Sequence, residues 1–212
     1  MINSGVHDRA TELIAAARSG EPAAIGLLFG MYQNYVRLLA ATQIQQRLQA
    51  RVTASDVVQD TFLQAHRAFE QFRGETGAEF LGWLRSILAS RIGDLYEKHF
   101  LAQRRDVRRE TSLEQITKNL DRSNHRLESI IVDQHAGSPL SAAERHERVL
   151  VVAEALAELN SDYRRVLVLR HLEGLSFNEV ADRMDRTSGA VRMVWLRAIN
   201  KLREELNRRE QL

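Results

Sequence analysis

The stretch "LEGLSFNEVADRMDRTSGAVRMVWLRAINKL", residues 172–202, has the outline of two short helices joined by a tight turn. Ser176 and Glu179 have the spacing of a capping box, which satisfies backbone N–H groups at the beginning of a helix. Apolar residues follow at the spacing of one buried helical face: Phe177, Val180, Ala181 and Met184. The letters DRTSG form the turn, and Thr187 or Ser188 can cap the next helix. The stretch therefore predicts a helix-turn-helix.

The second helix of this stretch is predicted to bury one face and to expose the opposite one. The buried face contains Val191, Trp195, Ala198 and Leu202. The candidate DNA contacts are Ser188, Arg192, Met193, Leu196, Arg197, Asn200 and Lys201. Arginines bind guanine edges or phosphates, and Met or Leu side chains contact thymine methyl groups, so this face suits a major groove. The alternative is an ordinary helical hairpin with a solvated basic face, but the turn length, the caps and the exposed apolar residues favour DNA binding.

The composition limits the classes of protein that fit the chain. Its 212 residues suffice for one large domain or two small ones. The net charge is only +2 although Lys and Arg total 30, so the positive charge acts only where it is segregated. The absence of cysteine excludes a disulfide framework, a thiolate zinc site and a cysteine nucleophile. Neither a signal peptide nor a run of about 18 apolar residues is present, so we expect a cytoplasmic protein without a membrane partner.

Helical periodicity runs through most of the chain, and no stretch alternates convincingly like a strand. We therefore expect an all-α fold of two small helical modules, at residues 8–100 and 141–210, with the helix-turn-helix in the second. Residues 101–140 are polar and highly charged, and they are predicted to form a flexible linker with only a weak helix at 113–120. The other predicted helices cover residues 8–18, 23–48, a segment from Thr53 onward, 80–100, 141–159 and a segment capped by Ser161. Thr53–Asp56 and Ser141–Glu144 have the spacing of capping boxes, Gly20 suits the C-terminal cap of the first helix, and Gly174 is expected to end the helix capped by Ser161.

The first module contains the segment "SDVVQDTFLQAHRAFEQFRG", which is predicted to be an amphipathic helix. Its buried stripe is Val58, Phe62, Ala65 and Phe69. The opposite face carries Asp56, Gln59, Asp60 and Leu63. A solvated face with a helix-dipole benefit for the first acid is one interpretation. A catalytic or metal-binding pair of carboxylates is another, but no histidine or third acid is placed to complete it. We therefore expect no catalytic residue, no metal and no cofactor.

This segment, with "FLGWLRSI" after it and "LVLRHLEGLSFNEVADRM…SGAVRMVWLRA" later, resembles the extracytoplasmic-function (ECF) sigma factors of bacterial RNA polymerase. The resemblance covers most of residues 8–100 and 141–207, with the motifs in the family's order. It implies a non-catalytic factor that joins core RNA polymerase and directs promoter-specific initiation. The C-terminal module would read the −35 element, and the N-terminal module would open and hold the −10 element.

The resemblance also implies particular partners and contacts. Asp56, Gln59, Asp60 and Leu63 would dock on the clamp helices of the polymerase's largest subunit, and the flap would be a further polymerase contact. Residues 101–140 would connect the two modules. Many members are held by an anti-sigma protein, which makes such a protein a candidate partner here.

The single-stranded −10 element would be held by residues that offer stacking surfaces, polar edges and cations. They are Phe72, Arg73, Phe80, Trp83, Arg85, Ser90 and Arg91. Core packing is the alternative for Phe80 and Trp83, and it is favoured for Trp83. The loop "RGETGAEFLGW" is longer than the commonest family form. The resemblance therefore does not determine which residues form the base pocket. Asp94 and Glu97 stand where family members are often more basic.

Two other classes of protein compete with this one. A stand-alone helix-turn-helix regulator would use the N-terminal module to sense a ligand or to dimerise. A nuclease or recombinase would need a nucleophile constellation, a metal cluster or a phosphate-binding loop, and the sequence contains none. Further candidates for phosphate contacts are Arg164 and Arg165, the C-terminal arginines, and the arginine pairs that open the linker.

Overall fold

The computed structural model describes residues 5–44, 53–101, 113–132 and 141–210. Within these ranges the chain is helical and contains no strand, which confirms the all-α prediction. The helices are α1 (Gly5–Arg18), α2 (Ala24–Gln43), α3 (Ala54–Ala68), α4 (Gly77–Leu101), α5 (Leu113–Val132), α6 (Ala142–Glu158), α7 (Ser161–Leu167), α8 (Phe177–Met184) and α9 (Ser188–Glu210). None of these helices combines the length and the apolar character that crossing a membrane requires.

The helices form two compact units, Gly5–Arg122 and Ser123–Leu212, and the division falls inside α5. This helix of 20 residues is longer than the weak helix predicted at residues 113–120. Its side chains Ile116, Leu120 and Leu127 are at most 1% exposed. They share one helical face, whose burial stabilises a helix that is charged elsewhere.

Parts of the predicted linker lie outside the described residues. These parts are residues 102–112 and 133–140, and they include the arginine pairs Arg104–Arg105 and Arg108–Arg109. Their predicted contact with DNA stays a prediction.

The core of the first unit is built around α2 and α4. α2 is apolar along most of its length, and it buries Leu28, Tyr32 and Leu39. The hydroxyl of Tyr32 donates to the carbonyl of Gly77, at 3.1 Å, and burial raises its pKa. The ring of Phe80 lies 5.0 Å from that of Tyr32. These contacts attach the first turns of α4 to α2.

α3 begins with the predicted capping box and buries a slightly different stripe. The hydroxyl of Thr53 accepts from the N–H of Asp56 at 3.2 Å, and the Asp56 carboxylate accepts from the N–H of Thr53 at 2.8 Å. The buried side chains are Val57, Val58, Thr61 and Ala65. Phe62 is only half-buried. Thr61 is buried because its hydroxyl donates to the carbonyl of Val57 at 2.7 Å, which satisfies its polar group without solvent.

In the second unit, α9 packs against α6, α7 and α8. The capping boxes predicted at the beginnings of α6 and α8 both form. The cap of α7 is Asn160, one residue before the predicted Ser161, because its side-chain oxygen accepts from the N–H of Tyr163 at 2.9 Å. A π-helical turn, Val168–Leu172, continues α7.

The loop between α7 and α8 is held by a side chain from α5. Gly174, which was predicted to end the preceding helix, has a φ of +75°. The guanidinium of Arg126 lies over this glycine, where an added Cβ would be only 2.5 Å from its Nη1 atom. Arg126 also donates to the carbonyl of Leu172 at 3.1 Å. The second half of α5 therefore packs at the entrance to the helix-turn-helix.

Candidate nucleic-acid and protein interfaces

The turn of the helix-turn-helix is tight because one residue adopts the left-handed conformation. Asp185 ends α8 with a φ of 54°, which short polar side chains tolerate better than most. The N–H of Arg186 donates to the carbonyl of Ala181 at 3.0 Å. The cap of α9 is Thr187 rather than Ser188, since its hydroxyl accepts from the N–H of Ala190 at 3.2 Å. This geometry fixes the direction in which α9 leaves the turn.

The structure brings the candidate −35 contacts of α9 together on one exposed face. Arg192, Met193, Leu196, Arg197, Asn200 and Lys201 are all exposed, and Ser188 is half-exposed at the first turn. Met193 and Leu196 remain 52% and 48% exposed on this face. The apolar and cationic groups that a major groove would contact thus lie side by side.

An aromatic ring from α8 lies beneath one of these arginines. The guanidinium of Arg192 is 4.9 Å from the ring centroid of Phe177, and that of Arg170 is 5.0 Å from it. Phe177 was predicted to lie in the buried stripe of α8, but it is only half-buried. Cation–π contacts at exposed sites stabilise by about 0.5–1 kcal/mol, enough to restrict the rotamers of Arg192.

Trp195, which was predicted to be buried, is only partly so. Its indole N–H donates to Nε2 of His171 at 2.9 Å. Its ring also packs edge-on against that of Phe177, with centroids 5.5 Å apart. The ring of Phe177 is therefore held in place by Trp195 of α9.

Several cations of this unit, including the −35 candidate Lys201, are paired with acids or with backbone carbonyls. Lys201 lies 3.0 Å from Glu204, and this hydrogen bond raises the pKa of its ammonium group. Arg209 pairs with Glu154 at 2.8 Å. The guanidinium of Arg164 donates to three carbonyls at the carboxyl end of α6: those of Leu156, Ala157 and Leu159. Arg164 therefore caps α6, and its contact with a phosphate stays a prediction.

The candidate docking face of α3 is exposed as predicted. Asp56, Gln59, Asp60 and Leu63 all face solvent, and Leu63 remains 48% exposed. Asp56 also has a structural role, because hydrogen bonds from the backbone and hydroxyl of Thr53 lower the pKa of its carboxyl. Phe62 packs its ring 5.1 Å from that of Phe29 on α2, which fixes the rotation of the face.

The aromatic candidates for the −10 element form a cluster inside the first unit. The ring of Phe80 is fully enclosed, and that of Phe72 is 6% exposed. Phe72 lies 5.0 Å from Trp83 and 5.4 Å from Phe80. Burial favours the core alternative for Phe80, while the half-buried Trp83 retains an accessible edge. Stacking of a base on any of these rings stays a prediction.

The polar candidates for the −10 element differ in how they are engaged. Arg73 is exposed in the loop between α3 and α4, and Ser90 is half-buried. The Nε atom of Arg85 lies 3.3 Å from the carboxylate of Asp121 on α5. Arg91 pairs with Asp94 at 2.6 Å, one turn further along α4. The acid at position 94 thus compensates a cation of its own helix.

Two contacts of the candidate residues could not be predicted from the sequence motifs. Arg18, at the end of α1, donates to the carbonyls of Phe72 and Gly74, 54 and 56 residues away in the chain. Phe177 was placed on the right face of α8, but its contact with Arg192 depends on how α8 crosses α9. Only the folded chain reveals either contact.

Comparison with known proteins identifies two segments of the chain. The family model for sigma-70 region 2 matches residues 29–100, and that for sigma-70, region 4 matches residues 155–204. The stand-alone regulator gains no support, because the N-terminal unit matches region 2 rather than a sensing or dimerisation domain.

Curated relatives extend over most of the chain. An ECF RNA polymerase sigma-E factor of Haemophilus influenzae is 31% identical over 186 residues, covering 88% of this chain and 89% of that protein. The sigma-E factor of Escherichia coli (strain K12) is 27% identical, with 88% of each chain covered. The ECF sigma factor BldN of Streptomyces coelicolor is 27% identical over 92% of this chain and 64% of that protein.

Two solved structures are also similar to this chain. One is the RsbN–BldN complex, with 21% identity, a TM-score of 0.32, and coverage of 90% of this chain and 97% of that chain. The other is CnrH in complex with the cytosolic domain of CnrY, with 25% identity, a TM-score of 0.33, and coverage of 94% and 97%. Given both region models in order and a relative 31% identical along most of its length, the chain belongs to the sigma-70 family and is an ECF sigma factor.

Proposed function

We propose that this chain joins core RNA polymerase and directs it to promoters through three surfaces on its two units. α9 reads the −35 element, the loop before α4 and α4 itself hold the −10 strand, and the exposed face of α3 docks on the polymerase. The observation that carries the proposal is the exposed face of α9, where cations and apolar side chains lie together beside a capped, tight turn. This arrangement is typical of a recognition helix.

For the −35 element, Arg192 is the residue we expect to discriminate between bases. It lies within the first two turns of α9, and Phe177 restricts its guanidinium. A bidentate contact between arginine and guanine discriminates by about 1–3 kcal/mol. Met193 and Leu196 would contact thymine methyl groups, and Ser188, Arg197, Asn200 and Lys201 would position the helix on the backbone.

For the −10 element, Arg73, Trp83 and the polar residues of α4 would contact the single strand. Phe72 and Phe80 would not contact the strand themselves, but their rings pack against Trp83 and would fix its position. Arg85, Ser90 and Arg91 would contact the strand, with phosphates replacing Asp121 and Asp94 as partners of the two arginines. The carboxylates of both pairs are more than half exposed, so solvent screens the pairs and this exchange costs little.

For the polymerase, we propose that Gln59, Asp60 and Leu63, with Asp56 at the edge, dock on the clamp helices of the largest subunit. Residues 8–100 would serve as the region 2-like domain and residues 141–210 as the region 4-like domain, with 101–140 connecting them. The factor has no catalysis of its own in this scheme, because the polymerase performs the nucleotide chemistry. It would act in the cytoplasm with the polymerase, and an anti-sigma protein is a candidate regulator.

Run-off transcription tests the proposal. Purified bacterial core polymerase would be supplied with templates whose upstream regions are randomised, with and without this chain, and the transcribed templates would be sequenced. We expect transcripts that depend on the chain and share a −35 and a −10 sequence. Transcripts that are independent of the chain, or that share no upstream sequence, would refute the proposal.

A further inference from the structure

We infer that Arg18 positions the −10 loop, which we define as residues 72–76 between α3 and α4. The inference rests on the proposed function of this loop and goes beyond it, because Arg18 lies outside the residues matched to region 2. Arg18 would contact neither DNA nor polymerase. It would hold the backbone from which Arg73 reaches the single strand.

Arg18 is itself held in place by the end of its helix. α1 stops at this residue, and Gly20 adopts a φ of +86°, as its predicted role of helix cap requires. The N–H of Gly20 donates to Ala17 at 3.2 Å, and the N–H of Glu21 donates to Ala16 at 3.1 Å. Since these bonds close the carboxyl end of α1, the direction of the Arg18 side chain is set by a rigid element.

The guanidinium of Arg18 forms hydrogen bonds with the backbone in the first part of the −10 loop. Its Nη2 atom donates to the carbonyl of Phe72 at 3.1 Å and to that of Gly74 at 2.6 Å. The same group lies 5.7 Å from the ring centroid of Phe72. The two carbonyls flank Arg73, so one cation fixes the backbone on both sides of the exposed arginine.

The second part of the loop is fixed from α4. The carboxylate of Glu79 accepts from the N–H groups of Glu75 and Thr76, at 2.9 Å each. A Cβ at Gly74 would lie 2.6 Å from the Phe72 ring and 2.7 Å from the Cβ of Glu79, so only glycine lets the backbone pass between them. The loop is therefore anchored at both ends.

An anchored loop lowers the cost of capturing a flexible strand. Binding loses free energy whenever a loop must be ordered at the moment of contact, and preorganisation removes that cost. Arg18 provides this preorganisation of the −10 loop from α1. Because α1 precedes the residues matched to region 2, the ordering of the loop depends on a residue outside that match. The expected consequence of losing Arg18 is weaker and less selective strand binding with unchanged polymerase affinity.

The experiment compares Arg18→Gln and Arg18→Lys with wild type, each bound to core polymerase. The probe is a single-stranded DNA selected by the wild-type holoenzyme from a pool with a randomised −10 segment, and a scrambled strand measures selectivity. We expect Arg18→Gln to weaken binding of the selected strand by about three- to tenfold, the range for the net contribution of one ordinary hydrogen bond. Arg18→Lys should recover part of this loss, because it keeps the charge and the donors, but not all of it, because it lacks the planar guanidinium that lies over the Phe72 ring.

Two controls separate positioning from charge and from general stability. Arg9→Gln removes the same charge from an exposed site on the same helix, and it should bind the strand like wild type. Gly74→Ala should reproduce the Arg18→Gln defect with Arg18 intact, and the double variant should be no worse than either single variant. Thermal unfolding of each variant reports stability.

The outcomes distinguish this inference from the proposed function. If Arg18→Gln binds and selects the strand like wild type, or if Arg9→Gln is equally defective, Arg18 has no positioning role. If Arg18→Gln and Arg18→Lys are equally defective and both lose stability, the residue is merely structural. If Arg73→Gln leaves strand binding unchanged, the loop does not contact DNA, and the proposed function of the loop fails instead.

Discussion

At the scale of single residues, the contacts beneath the candidate recognition residues depend on how deeply a side chain is buried, which spacing alone does not give. Periodicity correctly assigned Phe177 to the inner side of α8, but it could not give the depth of the ring. In the folded unit this ring ends half-exposed beneath Arg192. Spacing along a helix predicts which face a residue occupies, whereas exposure depends on the angle at which two helices cross.

Replacing Phe177 by leucine tests whether the ring holds Arg192. Leucine keeps an apolar side chain but lacks the quadrupole that attracts a cation. We expect the Phe177→Leu holoenzyme to bind a duplex with a selected −35 sequence about two- to fivefold more weakly than wild type, consistent with the strength of such contacts. In an Arg192→Ala background, Phe177→Leu should have no further effect on the −35 affinity. A full additional loss there would show that Phe177 acts independently of Arg192.

Reversing the charge at Asp60 tests the docking face of α3. Asp60→Arg should abolish binding to core polymerase, because the variant presents a cation where the proposed interface requires an anion. Since Asp60 is exposed, the free energy of unfolding should change by no more than about 0.5 kcal/mol. The matched control is Glu70→Arg, the same reversal at an exposed position outside the face. Normal polymerase binding by Asp60→Arg would place the docking surface elsewhere.

At the scale of helices and turns, local sequence signals performed best where a few adjacent residues determine the structure. The four capping boxes of the described residues form at α3, α4, α6 and α8, and three of them were predicted from spacing. α5 was largely missed because charged residues outnumber its three buried apolar side chains. Its helical state depends on burial against other helices, which composition alone cannot supply.

The capping box of α8 predicts how the stability of the protein changes with pH. Hydrogen bonds from the hydroxyl and N–H of Ser176 lower the pKa of Glu179 below its ordinary 4.5. The folded state therefore binds this proton less readily than the unfolded state does. The contribution to stability is present above pH 4.5 and is lost as the pH falls through the lowered folded value.

Thermal unfolding of Glu179→Gln and wild type across pH 7 to about 3 measures this contribution. We expect wild type to have the higher melting temperature at neutral pH and the difference to shrink below pH 4.5. Glu204→Gln is the control, since Glu204 lies on the exposed surface of α9 and caps no helix. A difference between Glu179→Gln and wild type that stays constant to the lowest pH would show that the carboxylate charge is not what stabilises α8.

At the scale of the whole molecule, the sequence predicted the fold class and most of the exposed faces, because amphipathic periodicity determines both. It did not predict contacts between residues far apart in the chain. Arg18 reaches the −10 loop across 54 residues, and Arg126 packs on Gly174 across a comparable distance. Such contacts depend on how helices pack in three dimensions, and no local pattern encodes them.

The division of the chain inside α5 leads to a prediction about unfolding. Leu120 belongs to the first unit and Leu127 to the second, and both side chains are at most 1% exposed. Each leucine-to-alanine substitution should therefore cost its own unit about 2–5 kcal/mol through lost burial and a residual cavity. The two tryptophans, Trp83 and Trp195, report on the first and second unit respectively.

Denaturant unfolding of single-tryptophan variants, Trp195→Phe or Trp83→Phe, measures each unit separately. Leu120→Ala should lower the midpoint reported by Trp83 more than that reported by Trp195, and Leu127→Ala should do the reverse. The asymmetry is expected because each leucine contributes its buried area to one core only. Equal shifts of both midpoints by each substitution would instead mean that the two cores unfold as one cooperative unit, and that α5 transmits the loss from one to the other.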